Sequence, residues 1–415
     1  MSDIDNTHRL PNQGQHHPWH VVTRLPPGPI RLVVIQPSSL CNLNCRYCYV
    51  PNRRDGTLMD DATLEAGISL ALKSDLLHSR VSFLWHAGEP LAAGLPFFRR
   101  ALSFIRKHNT KNTQILNSVQ TNGTLINDNW CQFFKENAFS IGVSVDGPAF
   151  IHDASRRDWG NRGSHAHTMR GVELLRKNGI KLNAIAVLTR ETLEHPDDLF
   201  EFFDSNGFDT LGFNVEEIEG ANSDSSLKCA SEPRVSDDIL RRYRFFMGRL
   251  FDRWSGSNGR LKIREFLANS YALNQLRKGH GYTRVSDEIV GLRNVVIAKN
   301  GDITTYSPEL ASGLPGNPAA FVVGNVHEIQ RLEDVLESPR YKQLETEIQA
   351  GVHACALTCK YFALCGGSYG SNKAYENGSF NSTETTSCIL HRQATAEVVI
   401  SKLRERSEQS RSTHD

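Results

Sequence analysis

"SSLCNLNCRYCYVPNR", Ser38 to Arg53, sets three cysteines inside eight residues, directly behind the apolar run "RLVVIQP" (31–37). Cys41, Cys45 and Cys48 are spaced C-x3-C-x2-C. A closed tetrahedral zinc site, or a cubane cluster held by protein alone, takes four ligands, so one position is left over. Three thiolates in a loop beyond a strand end can hold three irons of a cubane and leave the fourth to a chelating small molecule. Zinc completed by a distant histidine is the other reading of these residues alone.

Outward from this stretch the chain alternates. "VSFLWH" (81–86), "ILNSVQT" (115–121), "SIGVSVD" (140–146), "KLNAIAVLT" (181–189) and "TLGFNVE" (210–216) join 31–37 as buried strands. Helix-like stretches at 60–77, 95–108, 127–137, 164–178 and 196–206 separate them. Six strands alternating with helices imply parallel βα units, closed as a partial barrel or open as a doubly wound sheet. In both architectures the functional loops follow the C-terminal ends of the strands.

The 415 residues, 39% apolar and 22% charged, suit one large or two to three smaller domains with proper cores. A net charge of +1, from 47 basic against 46 acidic residues, argues for neither nucleic acid nor membrane as partner. The first twenty residues lack a secretory pattern, so the cytoplasm is the expected location. There the nine cysteines serve as ligands or core rather than disulfides. The expected organisation is a tail (1–28), the strand–helix unit (29–216), a connector and helical bridge (217–290), a second small α+β domain (291–395) and a charged, frayed tail (396–415). The second domain opens with "VVIAKNGDITTY", a hairpin around Asn300-Gly301, and ends in cysteines 355–388. Cys131 reads as core and Cys229 as a surface thiol; His86, His165 and His167 receive no role.

The cysteine spacing, with Tyr47 before the last thiol, resembles the radical S-adenosylmethionine (SAM) superfamily signature. The resemblance implies a partial (βα)6 TIM-type barrel and a [4Fe–4S] cluster on Cys41, Cys45 and Cys48 whose open iron takes SAM. It also implies SAM contacts from Tyr47, near the adenine, from Gly88 and Glu89 of "HAGEP" (86–90), and from Asn122 of "QTNG" (120–123). Ser144 of "SVDGP" (144–148) would meet the ribose, and Arg156 of "HDASRRD", chosen over Arg157, the SAM carboxylate. Ala87 stands where the family has a glycine.

The second group, Cys355-x3-Cys359-x5-Cys365 with Cys388, suffices for one cubane or for zinc on chemistry alone. It resembles the SPASM domain of peptide-modifying radical SAM enzymes, with departures. The first spacing is one residue longer, and Tyr369 and Ser307 stand at cysteine positions. The losses fall on the inner auxiliary cluster, so one auxiliary [4Fe–4S] cluster is implied.

The run 359–388, with "TTYSPEL" (304–310) and "WHAGEP", closely resembles the maturases that form three-residue cyclophanes (triceptides), GrrM/OscB-like. The implied reaction takes hydrogen from a side-chain Cβ of a ribosomal precursor peptide and closes a C–C bond to an aromatic ring. Glu309 is the implied base. A donor such as flavodoxin or ferredoxin supplies the electron. Thioether-forming maturases and anaerobic sulfatase-maturating enzymes share these parts. A non-catalytic Fe–S or zinc peptide-binding scaffold is the alternative from another class.

Overall fold

The computed structural model of the protein describes residues 25–412, apart from 229–234, 258, 280 and 368. Six parallel strands lie side by side in chain order. They are β1 (Ile30–Ile35), β2 (Leu77–Trp85), β3 (Gln114–Thr121), β4 (Ser140–Ser144), β5 (Asn183–Leu188) and β6 (Thr210–Val215). Helices α1 (Asp61–Lys73), α2 (Gly94–His108), α3 (Asp128–Glu136), the pair α4 (Ala149–Ser155) and α5 (His165–Lys177), and α6 (Pro196–Ser205) fill the crossovers. A doubly wound sheet reverses its strand order at a switch point. No reversal occurs between β1 and β6, which makes this the partial barrel.

Local chemistry explains the elements. Val33, Val34 and Ile35 of β1 are buried, as expected for a strand covered on both faces. The Asp60 carboxylate caps α1 by accepting from Thr63 N (2.7 Å), and Asn127 caps α3 by accepting from Trp130 N (3.1 Å). Phe97, Phe98, Ala101, Leu102 and Ile105 give α2 one apolar stripe. It packs with Trp85, Trp130, Phe133 and Phe139 in largely edge-to-face contacts. Cys131 is buried among them.

Several boundaries differ from the sequence reading. Helix α1 ends at Lys73, and β2 begins at Leu77, because exposed Ser79 and Arg80 hide its first half from an apolar pattern. The bridge holds α7 (Asp237–Gly256) and α8 (Arg264–Arg277), with a short strand β7 (Lys262–Ile263) between them that extends the sheet beside β6.

At the other edge β8 (Asn294–Ile297) pairs in parallel with β1, from Leu32↔Asn294 to Ile35↔Ile297. β9 (Asp302–Thr305) returns antiparallel across the Asn300-Gly301 turn, and β10 (Gly324–Asn325) follows. The segment from 291 thus continues the barrel sheet. It goes on through α9 (Pro339–Thr358), α10 (Phe362–Cys365) and α11 (Gly370–Asn377).

The expected frayed tail is instead α12 (Thr395–Ser412). Ala396 and Val399, one helical turn apart, are buried against α7, and its charges pair across to α7 as Arg244–Glu397 and Lys402–Asp252. Cys229 lies outside the described residues. Among the described residues no helix is long and apolar enough to cross a membrane.

Candidate active site

The loop after β1 is shaped by its own backbone. Ser38 Oγ donates to Thr57 O (2.9 Å), Cys41 N to Arg53 O (2.9 Å) and Arg53 Nη1 to Cys45 O (3.1 Å). The loop after β2 locks onto it through Glu89 N, which donates to Leu40 O (2.7 Å). That approach requires Gly88, whose φ is +56° and where a Cβ would sit 2.4 Å from Leu40 O. Ala87 also lies at positive φ, 75°, a conformation glycine adopts without strain.

One cavity gathers the strand-end residues. Cys41, Cys45, Cys48, Tyr47, Gly88, Asn122, Ser144 and Arg156 line it from the barrel. Glu309 lines it from beyond β9, together with Glu217 and Glu219. Glu89 is the exception among the expected residues. It is buried behind the wall, with Oε1 accepting from Thr121 Oγ1 (2.7 Å) and Leu91 N (3.0 Å) and Oε2 from Asn122 N (2.7 Å). Its carboxylate ties the second and third strand-end loops together. Burial still lifts its pKa against those three donors.

Asp146, quoted within "SVDGP" but given no role, organises one side of the cavity. Its carboxylate takes Arg156 Nε (2.9 Å) and Nη2 (3.1 Å), the Tyr47 hydroxyl and Val187 N (2.9 Å). Burial opposes the Arg156 charge most strongly, but Asp146, with Tyr47 and Cys45, together outweighs it, so the pKa is raised. Arg157 instead points away, donating to Asp153 O (2.7 Å). Gln120 Nε2 donates to Ser144 Oγ (2.9 Å), and Asn122 Nδ2 reaches Asn42 Oδ1 (2.9 Å) with Cys41 Sγ 3.8 Å away. Burial lowers the His86 pKa to about 4, so the ring beside Tyr49 is neutral.

The opposite wall is acidic. Glu309 accepts from the Ser307 hydroxyl, and its backbone carbonyl accepts from Tyr375 OH (3.0 Å). Ser307 therefore serves the carboxylate at the position where a cluster cysteine would stand. Glu217 accepts from Ser387 Oγ (2.7 Å) and Glu219 from Asn372 Nδ2 (2.7 Å). Burial, with repulsion from neighbouring carboxylates, pushes Glu217 up to about 7 and raises Glu219; burial alone raises Glu309. Glu217 and Glu219 had been read only as part of a polar connector. The available signal was their place immediately after a buried parallel strand.

The second cysteine group forms where α9, α10 and the π-helical segment Cys388–Ala394, which leads into α12, meet. Lys373 Nζ, itself buried, lies 3.3 Å from Cys355 Sγ, and Gly367 N donates to Cys365 Sγ (3.3 Å). Tyr369, at the other vacated cysteine position, stacks on His391 with Arg392 over its ring.

Both cysteine groups could hold iron. Burial first, then nearby negative groups, pushes Cys41 and Cys359 up to about 12, so without a bound cation they are neutral thiols. A metal that binds there would displace those protons and hold the groups as thiolates. Among the described residues no three His, Cys, Asp or Glu side chains converge as a single metal ion requires. A cubane takes one thiolate per iron, so its ligands stand further apart.

Residues 35–203 match the family model of the radical SAM superfamily, and the chain belongs to that superfamily. It is a radical SAM enzyme of the sulfatase-maturase and SPASM peptide-modifier kind, with SAM, a [4Fe–4S] cluster and an auxiliary cluster as cofactors. An uncharacterised protein of Synechocystis sp. (sll1766) is 41% identical over 384 residues, 91% of this chain and 93% of that one. The cysteine-type anaerobic sulfatase-maturating enzyme of Clostridium perfringens is 37% identical over 191 residues, 45% of this chain and 51% of that one. The match thus spans about half of that enzyme's length. Native anSMEcpe with bound AdoMet and Cp18Cys peptide superposes with a TM-score of 0.71 at 25% identity, covering 92% of this chain and 99% of that one. Streptococcus suis SuiB bound to precursor peptide SuiA shares the fold, with a TM-score of 0.58 at 17% identity over 86% and 76% of the two chains.

Proposed function

We propose that this enzyme modifies a ribosomally made precursor peptide, abstracting hydrogen from a side-chain Cβ and closing a C–C bond to an aromatic ring. The observation that carries the reading is the shared cavity, with the Cys41–Cys45–Cys48 loop on one wall and Glu309 on the other. The three cysteines hold the SAM-binding cluster, and Cys355, Cys359, Cys365 and Cys388 hold one auxiliary cluster. When bound, cluster and SAM supply a radical strong enough to take hydrogen from an unactivated carbon, which no side chain could do.

The protein's own groups do the rest. Tyr47, Gly88, Asn122, Ser144 and Arg156 position SAM, and Glu89 holds their loops in register. Glu309 accepts the proton released as the ring regains aromaticity. Its raised pKa brings it nearer the working pH of a general base. No disulfide joins the eight described cysteines, which suits a cytoplasmic enzyme.

A second reading, sulfatase maturation, is favoured by the 37% identity to the Clostridium perfringens enzyme. Product chemistry separates the two. Cyclophane closure removes two hydrogens and blocks fragmentation between the joined residues, whereas conversion of a cysteine or serine to formylglycine leaves a hydrazide-reactive aldehyde. The test is co-expression with a candidate precursor, followed by fragmentation and hydrazide labelling. Glu309→Gln should keep 5′-deoxyadenosine formation and lose most product. Unchanged product yield would remove Glu309 as the base.

A further inference from the structure

The outer rim of the cluster loop is cationic. Segments 41–55 and 153–163 together carry six arginines against three aspartates, in a chain of net charge +1. They are laced together by Asn44 N donating to Arg157 O (2.6 Å) and Arg46 N to Ser155 O (2.9 Å). All three aspartates are engaged: Asp158 by Arg162 (2.7 Å), Asp55 by Lys299, and Asp153 by the backbone N–H of His165 (2.8 Å). Inside, Arg156 is taken by Asp146. The Arg46 side chain is 54% exposed, with one long contact to Glu216 (3.8 Å). Arg54, also exposed, lies 4.3 Å over the Trp159 ring. Trp159 is itself exposed, and its Nε1 donates to the carbonyl of Cys41 (2.8 Å). A surface indole flanked by arginines therefore touches the backbone of a cluster-loop cysteine.

We propose that this rim, centred on Trp159, Arg54 and Arg46, is the docking surface for a small acidic one-electron carrier protein. Arginine and tryptophan are the side chains that anchor interfaces, and an excess of one charge sign steers a partner of the other. One electron leaves the carrier, which is oxidised, and is taken up at the Cys41–Cys45–Cys48 site, which is reduced; no bond forms or breaks. The proposal rests on the radical SAM reading, because only a reducible centre there needs the electron.

The test uses the anaerobically reconstituted enzyme. 5′-Deoxyadenosine formation is driven in parallel by dithionite, by a reduced flavodoxin and by a reduced ferredoxin, and carrier binding is followed by surface plasmon resonance. Arg54→Glu should slow association with at least one carrier by about tenfold at low salt, with the gap closing at high salt. The rate driven by that carrier should fall with it, while the dithionite rate and iron content stay at wild-type values. The milder Arg46→Gln/Arg54→Gln pair should move the same way by a smaller factor. Unchanged binding and rate with both carriers would overturn the proposal. So would an equal loss in all three arms, or weakened precursor-peptide binding with normal carrier response. A wild-type enzyme that binds a carrier yet never cleaves SAM with dithionite would overturn the radical SAM reading instead.

Discussion

Asp146 receives both prongs of the Arg156 guanidinium, the Tyr47 hydroxyl and Val187 N, and the pair is sealed from water, with side-chain exposures of 8% for Arg156 and 2% for Asp146. Asp146→Asn keeps the shape and removes the charge. Arg156 would then be a buried cation without a counter-ion, a change that costs about 3–5 kcal/mol. The asparagine oxygen still accepts two of the four hydrogen bonds, so the lower end of that range is expected. Urea unfolding of the anaerobic holoenzyme should show the midpoint falling accordingly, with SAM affinity falling as Arg156 and Tyr47 lose their anchor. Adding Arg156→Met removes the stranded charge and should return about half of the lost stability, because an apolar pair in place of a buried ion pair is near neutral. SAM affinity should not return with it. A loss below about 1 kcal/mol for Asp146→Asn, or a double variant no more stable than the single, would refute the account of this clamp.

The cysteine assignment predicts an iron count: about eight per reconstituted chain, falling to about four when Cys41, Cys45 and Cys48 are all alanine. That triple variant should be inert toward SAM yet folded, and about twelve irons in the wild type would reveal a further cluster with non-cysteine ligands. The acidic wall predicts a pH effect. Glu217 is lifted from an ordinary 4.5 to about 7, so the folded chain retains a proton that the unfolded chain releases between those values. Its contribution to stability is therefore present below 4.5 and is lost as pH rises through about 7. Glu217→Gln should flatten this fall in a pH series of unfolding midpoints.

Much of the barrel could be read directly. Val33, Val34 and Ile35, or Phe213 and Val215, are buried by strands covered on both faces, and such strands write themselves as apolar runs. The three thiols behind β1 were equally visible, because they stand close together in sequence. Features created by distant pairing were not. β8 is four residues long, and nothing local says that its partner is β1, more than two hundred residues earlier. α12 disguises its buried positions, Thr395, Ala396, Val398 and Val399, beside a run of charges. Glu89 reads as a ligand from its motif, and only tertiary contacts disclose that its oxygens also hold Thr121, Asn122 and Leu91.

The parallel pairing of β8 with β1 also governs how the chain can be cut. β1 feeds the cluster loop, Gln36 N at its end donates to Ile297 O (3.0 Å), and Lys299 reaches back to Asp55 within that loop. A truncation at residue 290 would leave β1 as a bare, apolar outer strand, a template for association with other chains. It would also unfasten the loop from one side. Module-exchange experiments that treat the C-terminal portion as a detachable cap should instead carry β8 and β9 along with the barrel and place the junction beyond Thr305.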